Sequence, residues 1–366
     1  MRFIRLEELK PGMRIARPIF SKKGVMLYDR ATVLKDMQSI QNIKSFGLIG
    51  LFILEPAEPV PPMTDEDREF ERFQTMMAFQ IQDEMEVCRR SKKTENITRI
   101  VDEIVRQYGN LKNKITFIQG LRSADDYVFK HSLNVAILCA MISHAMNVSL
   151  QDQRESVTAA VLHDIGKLDV DQKIFAEREI SAEDRIRLLH CELNGFDLIG
   201  NLYMSNPNIK RICSQAQHLV DVMDNPEELK RMKPVTGARI LAVADTYDSD
   251  TAVRMDQPPL SEVLTLRKML DRSDVYDPKV VNGLMRSIAI LSPGTSVELN
   301  TGEKALVIRV NDNDLLRPVV LTFDHNEIID LSDRKTYDDL DISDIMKTMD
   351  NRHVIDQDAL KKLGFS

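Results

Sequence analysis

A histidine and an aspartate stand side by side inside an apolar run, Val161-Leu162-His163-Asp164-Ile165-Gly166-Lys167. Charged groups are rarely placed in such a run without a partner. An imidazole, a carboxylate and an ammonium so close together suit a divalent metal facing a phosphate oxygen. One His-Asp pair constrains little alone. Here His131 lies upstream, and Asp245 closes the apolar stretch Ile240-Leu241-Ala242-Val243-Ala244, so His131, His163, Asp164 and Asp245 would make a small metal shell. The plainer alternative for His131, among Val128, Val135 and Leu138 at helical spacing, is a satisfied core histidine. For Asp245 the apolar run before it is what argues for a ligand, whereas Asp248 and Asp250 read as solvated acids.

Lys and Arg number 49 against 57 Asp and Glu, a net charge of -8, which argues against a nucleic-acid binder held by counterion release. No apolar run reaches the roughly 20 residues that span a bilayer, and Met1-Arg2-Phe3-Ile4-Arg5 continues into charged residues rather than an export signal. A cytoplasmic protein without a membrane span is expected. Cys88, Cys139, Cys191 and Cys213 show no Cys-x-x-Cys spacing, so reduced thiols are expected rather than a disulfide framework.

The chain is long enough for more than one domain. Residues 1–55 read as a small mixed α/β module, with turns at Pro11-Gly12 and Lys23-Gly24 and a buried strand from Gly47 to Leu54. Pro56, Pro59, Pro61 and Pro62 mark a stiff linker over 56–63. Thr64 is a plausible N-cap for a long helix over 64–94, whose Phe70, Phe73, Met77 and Ile81 form an apolar stripe. That stripe either packs on its own chain or seals a homodimer through residues 64–90. Residues 95–290 are helical in pattern and hold His131, His144, His163, His190 and His218. Short β-rich runs at Ala305–Val310 and Val319–Phe323 predict an antiparallel extension over 291–335. A polar tail, 336–366, carries one short helical pattern near Ile342, Ile345 and Met346. The fold class expected is mainly α. Lys173, Arg185 and Arg187 could meet phosphates, though charge on a helix is usually a solvated face. No glycine-rich phosphate loop is visible, which argues against a kinase, an ATPase or a Rossmann dehydrogenase.

His131-Ser132-Leu133-Asn134-Val135-Ala136, Leu162-His163-Asp164-Ile165-Gly166-Lys167 and Val243-Ala244-Asp245-Thr246-Tyr247-Asp248, in this order, resemble the HD-GYP branch of the HD phosphohydrolase superfamily. Leu6 to Ile53 resembles the small module ahead of some of these domains, and Ser292 to Leu331 the β-rich extension behind them. The resemblance implies an HD-type helical bundle around a metal centre and hydrolysis of cyclic di-GMP, a bacterial second messenger. One or two divalent ions are implied. Imidazole and carboxylate ligands suit Fe, Mn, Ni or Zn and discriminate weakly among them. Asp164 could bridge two ions, and Lys167 could favour the charge of the phosphate; these two are the expected catalytic residues.

The chain also departs from the family pattern. Tyr127 stands where a Glu is expected one turn before the first His. The position of the next His falls on Cys191, with His190 one residue early. The paired histidines and Glu become Gln217-His218-Leu219, which leaves His218. His190, Cys191 and His218 are therefore further metal candidates. The Gly-Tyr-Pro stretch is replaced by Asp221 to Pro234, which contains neither Gly nor Tyr. Two functions follow: a metal-dependent phosphodiesterase with reduced or altered activity on cyclic di-GMP or a related cyclic dinucleotide, or a catalytically degenerate module that binds a nucleotide or a signalling protein partner.

Overall fold

Apolar β-branched residues alternate with turns at the start of the chain, and in the computed structural model they form sheets. The structure describes residues 2–46, 50–54, 60, 63–117, 119, 122, 126–170, 181–252 and 259–346. The proline positions expected to make the linker, Lys173, His353 and the last twenty residues lie outside that set. By internal contacts the chain divides into Met1–Arg72 with Ile290–Ser366, and Phe73–Ala289.

In the first unit, β1 (Arg2–Arg5), β2 (Arg14–Ile15) and β5 (Gly50–Leu54) form an antiparallel sheet in the order β1-β5-β2, beside a hairpin of β3 (Ile19–Phe20) and β4 (Met26–Tyr28). Helix α1 (Met37–Lys44) is capped by Asp36, which accepts from the Ser39 amide, and it buries Ile40 and Ile43 against Ile4, Ile15, Leu34 and Ile53. The later part of this unit is a five-stranded antiparallel sheet. Its strands are β6 (Ser296–Leu299), β7 (Lys304–Arg309), β8 (Val319–Thr322), β9 (Ile328–Asp330) and β10 (Ile342–Ile345), in the order β10-β6-β7-β8-β9.

Strand β10 overturns the helix expected near Ile342. Ile342 pairs with Leu299 and Ile345 with Val297, and the register shifts between Ile342 and Asp344. A bulge adds one residue to a strand. It lets an i, i+3 pair of isoleucines oppose an i, i+2 pair, so helical spacing in the sequence becomes one face of a sheet.

The second unit is helical. Helix α2 (Asp65–Ser91) leads into it from the first unit, opened by a reciprocal cap in which Thr64 Oγ1 accepts from the Asp67 amide and Asp67 Oδ2 from the Thr64 amide. Its stripe is already covered: Phe73, Met77, Ile81, Met85 and Cys88 are buried, and Phe73 meets Tyr108 edge-on at 4.9 Å. Of the two readings of this stripe, the burial of these residues is that of a helix packed on its own chain.

Next come α3 (Ile97–Tyr108), α4 (Tyr127–Ala145) and α5 (Leu150–Leu162), then a 3-10 turn over Ile165–Asp169. They are followed by α6 (Ala182–Leu202), α7 (Asn208–Asp221), α8 (Pro226–Arg231), α9 (Thr236–Thr251), α10 (Glu262–Asp271) and α11 (Pro278–Ser287). Among the described helices, α4 alone is long and apolar enough to cross a bilayer, more so than the sequence reading allowed, but 83% of that stretch is buried inside the protein. It is the axis of the bundle, with α3, α5, α9 and α11 packed around it. Burying each Leu or Ile of such a helix stabilises by about 1.5–3 kcal/mol. The polar groups this axis buries, His131, Ser132, Asn134 and Ser143, are therefore costly unless they are paired or used. A short helix α12 (Arg334–Tyr337) belongs to the first unit.

Candidate metal centre

Three elements of the helical unit deliver the four residues expected to form a metal shell. His131 lies on α4 and is 1% exposed, His163 and Asp164 follow the end of α5, and Asp245 lies on α9. His131 Nε2 stands 3.2 Å from His163 Nε2 and 3.0 Å from Asp245 Oδ1. Asp164 Oδ2 is 3.6 Å from His131 Nε2, Asp164 Oδ1 is 3.6 Å from His163 Nε2, and His163 Nε2 is 4.0 Å from Asp245 Oδ1. His131, His163 and Asp164 each offer one ligand atom within 4.8 Å of the others.

The orientation of both rings follows from their other nitrogens. His163 Nδ1 donates to the Ala160 carbonyl at 2.8 Å, since a carbonyl only accepts. His131 Nδ1 donates to Asp248 Oδ2 at 2.7 Å. In a neutral ring that leaves each Nε2 as the nitrogen facing inward, the tautomer a metal requires. Two neutral rings whose Nε2 atoms lie 3.2 Å apart need a proton or a cation to relieve their facing lone pairs. Asp164 Oδ2 adds a second sign, being a buried carboxylate oxygen without a hydrogen-bond partner. The donor set, two imidazoles and two carboxylates, fits a borderline divalent ion.

The charges are arranged to match. Burial opposes ionisation of Asp164, yet the charges of His163, Lys167 and His131 hold its carboxyl below the usual range. Asp245 is likewise desolvated, and its bond to His131 with the charges around it more than compensates. For Lys167 burial again works against charge, but Asp164, Asp245 and Glu192 raise its affinity for the proton above the ordinary lysine value. Burial also disfavours a charged His131, and the neighbouring Tyr127 together with Asp245 and Asp248 reverses that, lifting its pKa well above the ordinary value. A cation arriving here would compete with that proton.

Lys167 reaches Asp164 Oδ1 at 2.8 Å because a 3-10 turn repeats every three residues and brings i and i+3 to one side. The turn itself is pressed against α6. A Cβ on Gly166 would lie 2.1 Å from the Cys191 carbonyl oxygen, and one on Gly195 would lie 2.8 Å from the Gly166 nitrogen. Backbone meets backbone there, which only glycine permits.

The other candidates are not brought in. His190 is exposed on α6. His218 is on an exposed part of α7, with Nε2 3.1 Å from Glu228 Oε1. Cys191 is near the turn, but burial and the charges of Asp169 and Glu192 push its thiol up, away from the thiolate a metal would need. Tyr127 stacks on the His131 ring, 5.5 Å between centroids and 14° between planes, and so forms an aromatic wall where a ligand carboxylate was looked for. Arg187 is tied to Glu183 and Asp184, and Arg185 is exposed, the ordinary condition of a charged helix face.

Asp248 corrects the sequence reading most clearly. Expected as a solvated acid, it is fully buried. Besides His131 it accepts from Arg122, from Asn134 Nδ2 at 3.0 Å and from Gln119 Nε2 at 3.1 Å. Burial is outweighed by the Arg122 charge and the His131 bond, so Asp248 stays ionised well below the usual range. The spacing was a usable signal. Asp245 and Asp248 are i, i+3 on one helix, as are His131 and Asn134 on another. Glu192 was also missed. Its side chain is 14% exposed and 3.9 Å from Lys167 Nζ, and burial, partly offset by Lys167, pushes its pKa up to about 7.

Residues 115–280 match the family model of the HD domain. The chain is 26% identical over 233 residues to the cyclic di-GMP phosphodiesterase PA4108 of Pseudomonas aeruginosa, covering 63% of this chain and 56% of that protein. It is 22% identical over 202 residues to the cyclic di-GMP phosphodiesterase PdeB of Borreliella burgdorferi, covering 53% of this chain and 52% of the relative. The chain thus spans about half the length of these curated relatives. No solved structure matches. The helical unit carries an HD domain, and both relatives support the resemblance to the HD-GYP branch.

Proposed function

We propose that this HD-domain protein is a metal-dependent phosphodiesterase that hydrolyses cyclic di-GMP in bacterial signalling. The observation that supports it best is the buried convergence of His131 Nε2, His163 Nε2 and the unpartnered Asp164 Oδ2, with the partly exposed Asp245 Oδ1 beside His131. A divalent ion held there would polarise a phosphoryl oxygen and lower the pKa of a bound water. His131 and His163 would bind it in the tautomers that Asp248 and Ala160 impose. Asp164 and Asp245 would supply the balancing charge. Lys167 would meet the phosphate and stabilise the charge that grows on it. The second oxygen of Asp164 is paired with Lys167, so a second ion would have to share it with that ammonium, while Fe, Mn, Ni and Zn all suit the donor set.

The test is elemental analysis of the purified full chain together with cyclic di-GMP hydrolysis in added manganese or ferrous iron. One or two metals per chain, with linear or mononucleotide products that vanish in Asp164→Ala, are expected. A metal-free, inert protein would sink the reading. A second reading, a catalytically degenerate module that binds a nucleotide or a signalling partner, is favoured by Tyr127 in place of a carboxylate and by His218 facing Glu228 instead of the centre. Ligand-dependent melting separates the two. A cyclic dinucleotide at 100 times its Kd should stabilise either kind of protein by about 2.7 kcal/mol, and only the enzyme would consume it.

A further inference from the structure

Lys167 is bracketed by carboxylates from two different elements. Asp164, just before the 3-10 turn, lies 2.8 Å from its Nζ, and Glu192, on α6, lies 3.9 Å from it on a side chain that is 14% exposed. Neither the four ligands nor the motifs that carry the resemblance include Glu192. Its place is nevertheless tightly set. The glycine contacts between Gly166, Gly195 and the Cys191 carbonyl hold α6 against the turn that carries Lys167, which fixes the Glu192 backbone beside that turn.

The chemistry of the pair gives that placement a purpose. A lysine ammonium is a compact charge on a flexible four-carbon stem. Its bond to Asp164, three residues away, fixes its distance from that carboxylate but not its direction, and pulls it toward the carboxylate whose other oxygen faces the metal centre. A second carboxylate from α6 draws the ammonium off that position and defines a direction.

We propose that Glu192 is a positioning residue, whose carboxylate holds the Lys167 ammonium where it can meet a phosphate at the metal centre. This rests on the reading of Lys167 as the phosphate-facing cation. Glu192 touches no reacting atom and acts through Lys167. It therefore makes a prediction that a merely structural residue does not: its effect disappears once Lys167 is gone.

The experiment uses the metal-loaded full chain as wild type, Glu192→Gln, Glu192→Asp, Lys167→Met and the double variant Glu192→Gln/Lys167→Met. Inorganic phosphate binding is followed by calorimetry, cyclic di-GMP hydrolysis is followed in parallel, and metal content and melting temperature report on folding. Glu192→Gln should weaken phosphate binding and lower kcat/KM by about 10-fold at unchanged metal content, the scale of an outer hydrogen-bonding partner. The double variant should match Lys167→Met, and Glu192→Asp should recover part of the loss. Losses that multiply in the double variant, or a Glu192→Gln protein that binds phosphate like wild type, would overturn the assignment. So would a wild type that binds no phosphate. If phosphate binding shows the coupling while cyclic di-GMP stays intact, Glu192 keeps its role and the substrate reading fails instead.

Discussion

The two sides of the metal centre are built on opposite principles. On the side of α4 and α9, His131 is backed by Asp248, which is backed in turn by the buried Arg122 and Asn134 and the half-buried Gln119. On the side of α6 and α7, His190 and His218 stand in solvent and Cys191 sits in a negative field. Burial decides the difference. A ligand whose second nitrogen is held by a desolvated, ionised acid cannot turn away at low cost, whereas an exposed histidine is free to pair with whatever is near. One half of the site is therefore held in place by the core, and the other half faces solvent without such support.

Removing Asp248 should have the largest effect, because it attacks the core-held side at its root. Asp248→Ala leaves the buried Arg122 guanidinium without its carboxylate, a loss of about 3–5 kcal/mol for a broken buried pair. It also frees the His131 ring, which should weaken metal binding about 10–100-fold. Thermal melting and metal titration of the purified variant check both. Asp248→Asn, which keeps the size and some hydrogen bonds, should be the milder of the two. Equal behaviour of Asp248→Ala and wild type would erase the contrast between the two sides.

A smaller effect is expected at the seam that joins them. Gly166→Ala places a methyl group 2.1 Å from the Cys191 carbonyl, which must push α6 off the turn at a cost of about 1–3 kcal/mol. The displaced helix takes Glu192 with it. Phosphate affinity should therefore fall more than metal affinity, since none of the four converging residues lies on α6. Parallel titrations of metal and of inorganic phosphate separate the two.

The pH dependence of stability sharpens the comparison further, because the two sides should slope in opposite directions. Asp248 has a depressed folded pKa. Its contribution is present above the ordinary aspartate value of about 3.9 and is lost as pH falls through the lower folded value. Glu192 has a raised folded pKa of about 7 against an ordinary value of about 4.3. The folded state holds that proton longer, so stability falls as pH rises from about 4.3 to about 7 and then levels. Denaturant midpoints across this window should decline in wild type and decline less in Glu192→Gln. An unchanged slope would mean that Glu192 is not desolvated as the geometry requires.

Local pattern made much of this legible and tertiary context hid the rest. His163-Asp164 and Lys167 could be read because charge inside an apolar run needs a reason, and the cap at Thr64 because a Thr before three acids is a local signal. Asp248 was misread because Asp is ordinarily solvated, and its partner Arg122 comes from a distant loop that no spacing rule connects. Glu192 was missed for the same reason: only the close approach of Gly166 and Gly195 turns a polar helix residue toward Lys167. Strand β10 was misread because a bulge gave a sheet the i, i+3 period of a helix. Which of the two readings of the α2 stripe holds within the chain was also a matter of tertiary burial, not of sequence spacing.

The smallest effect belongs to the solvent-facing side. His218 is paired with Glu228, both side chains nearly half exposed, and such surface pairs contribute about 0–1 kcal/mol. His190 is exposed as well. His190→Ala and His218→Ala, alone or together, should thus leave stability within about 0.5 kcal/mol of wild type. They should also leave metal stoichiometry and affinity unchanged, because neither imidazole faces the centre. Metal titration is the deciding measurement, since activity could be altered by a changed surface near the substrate. If the double variant loses one of two bound metals, α6 and α7 must swing inward on metal binding. The solvent-facing half would then be an open state of a complete site, and the contrast between a core-held side and an unsupported one would be lost.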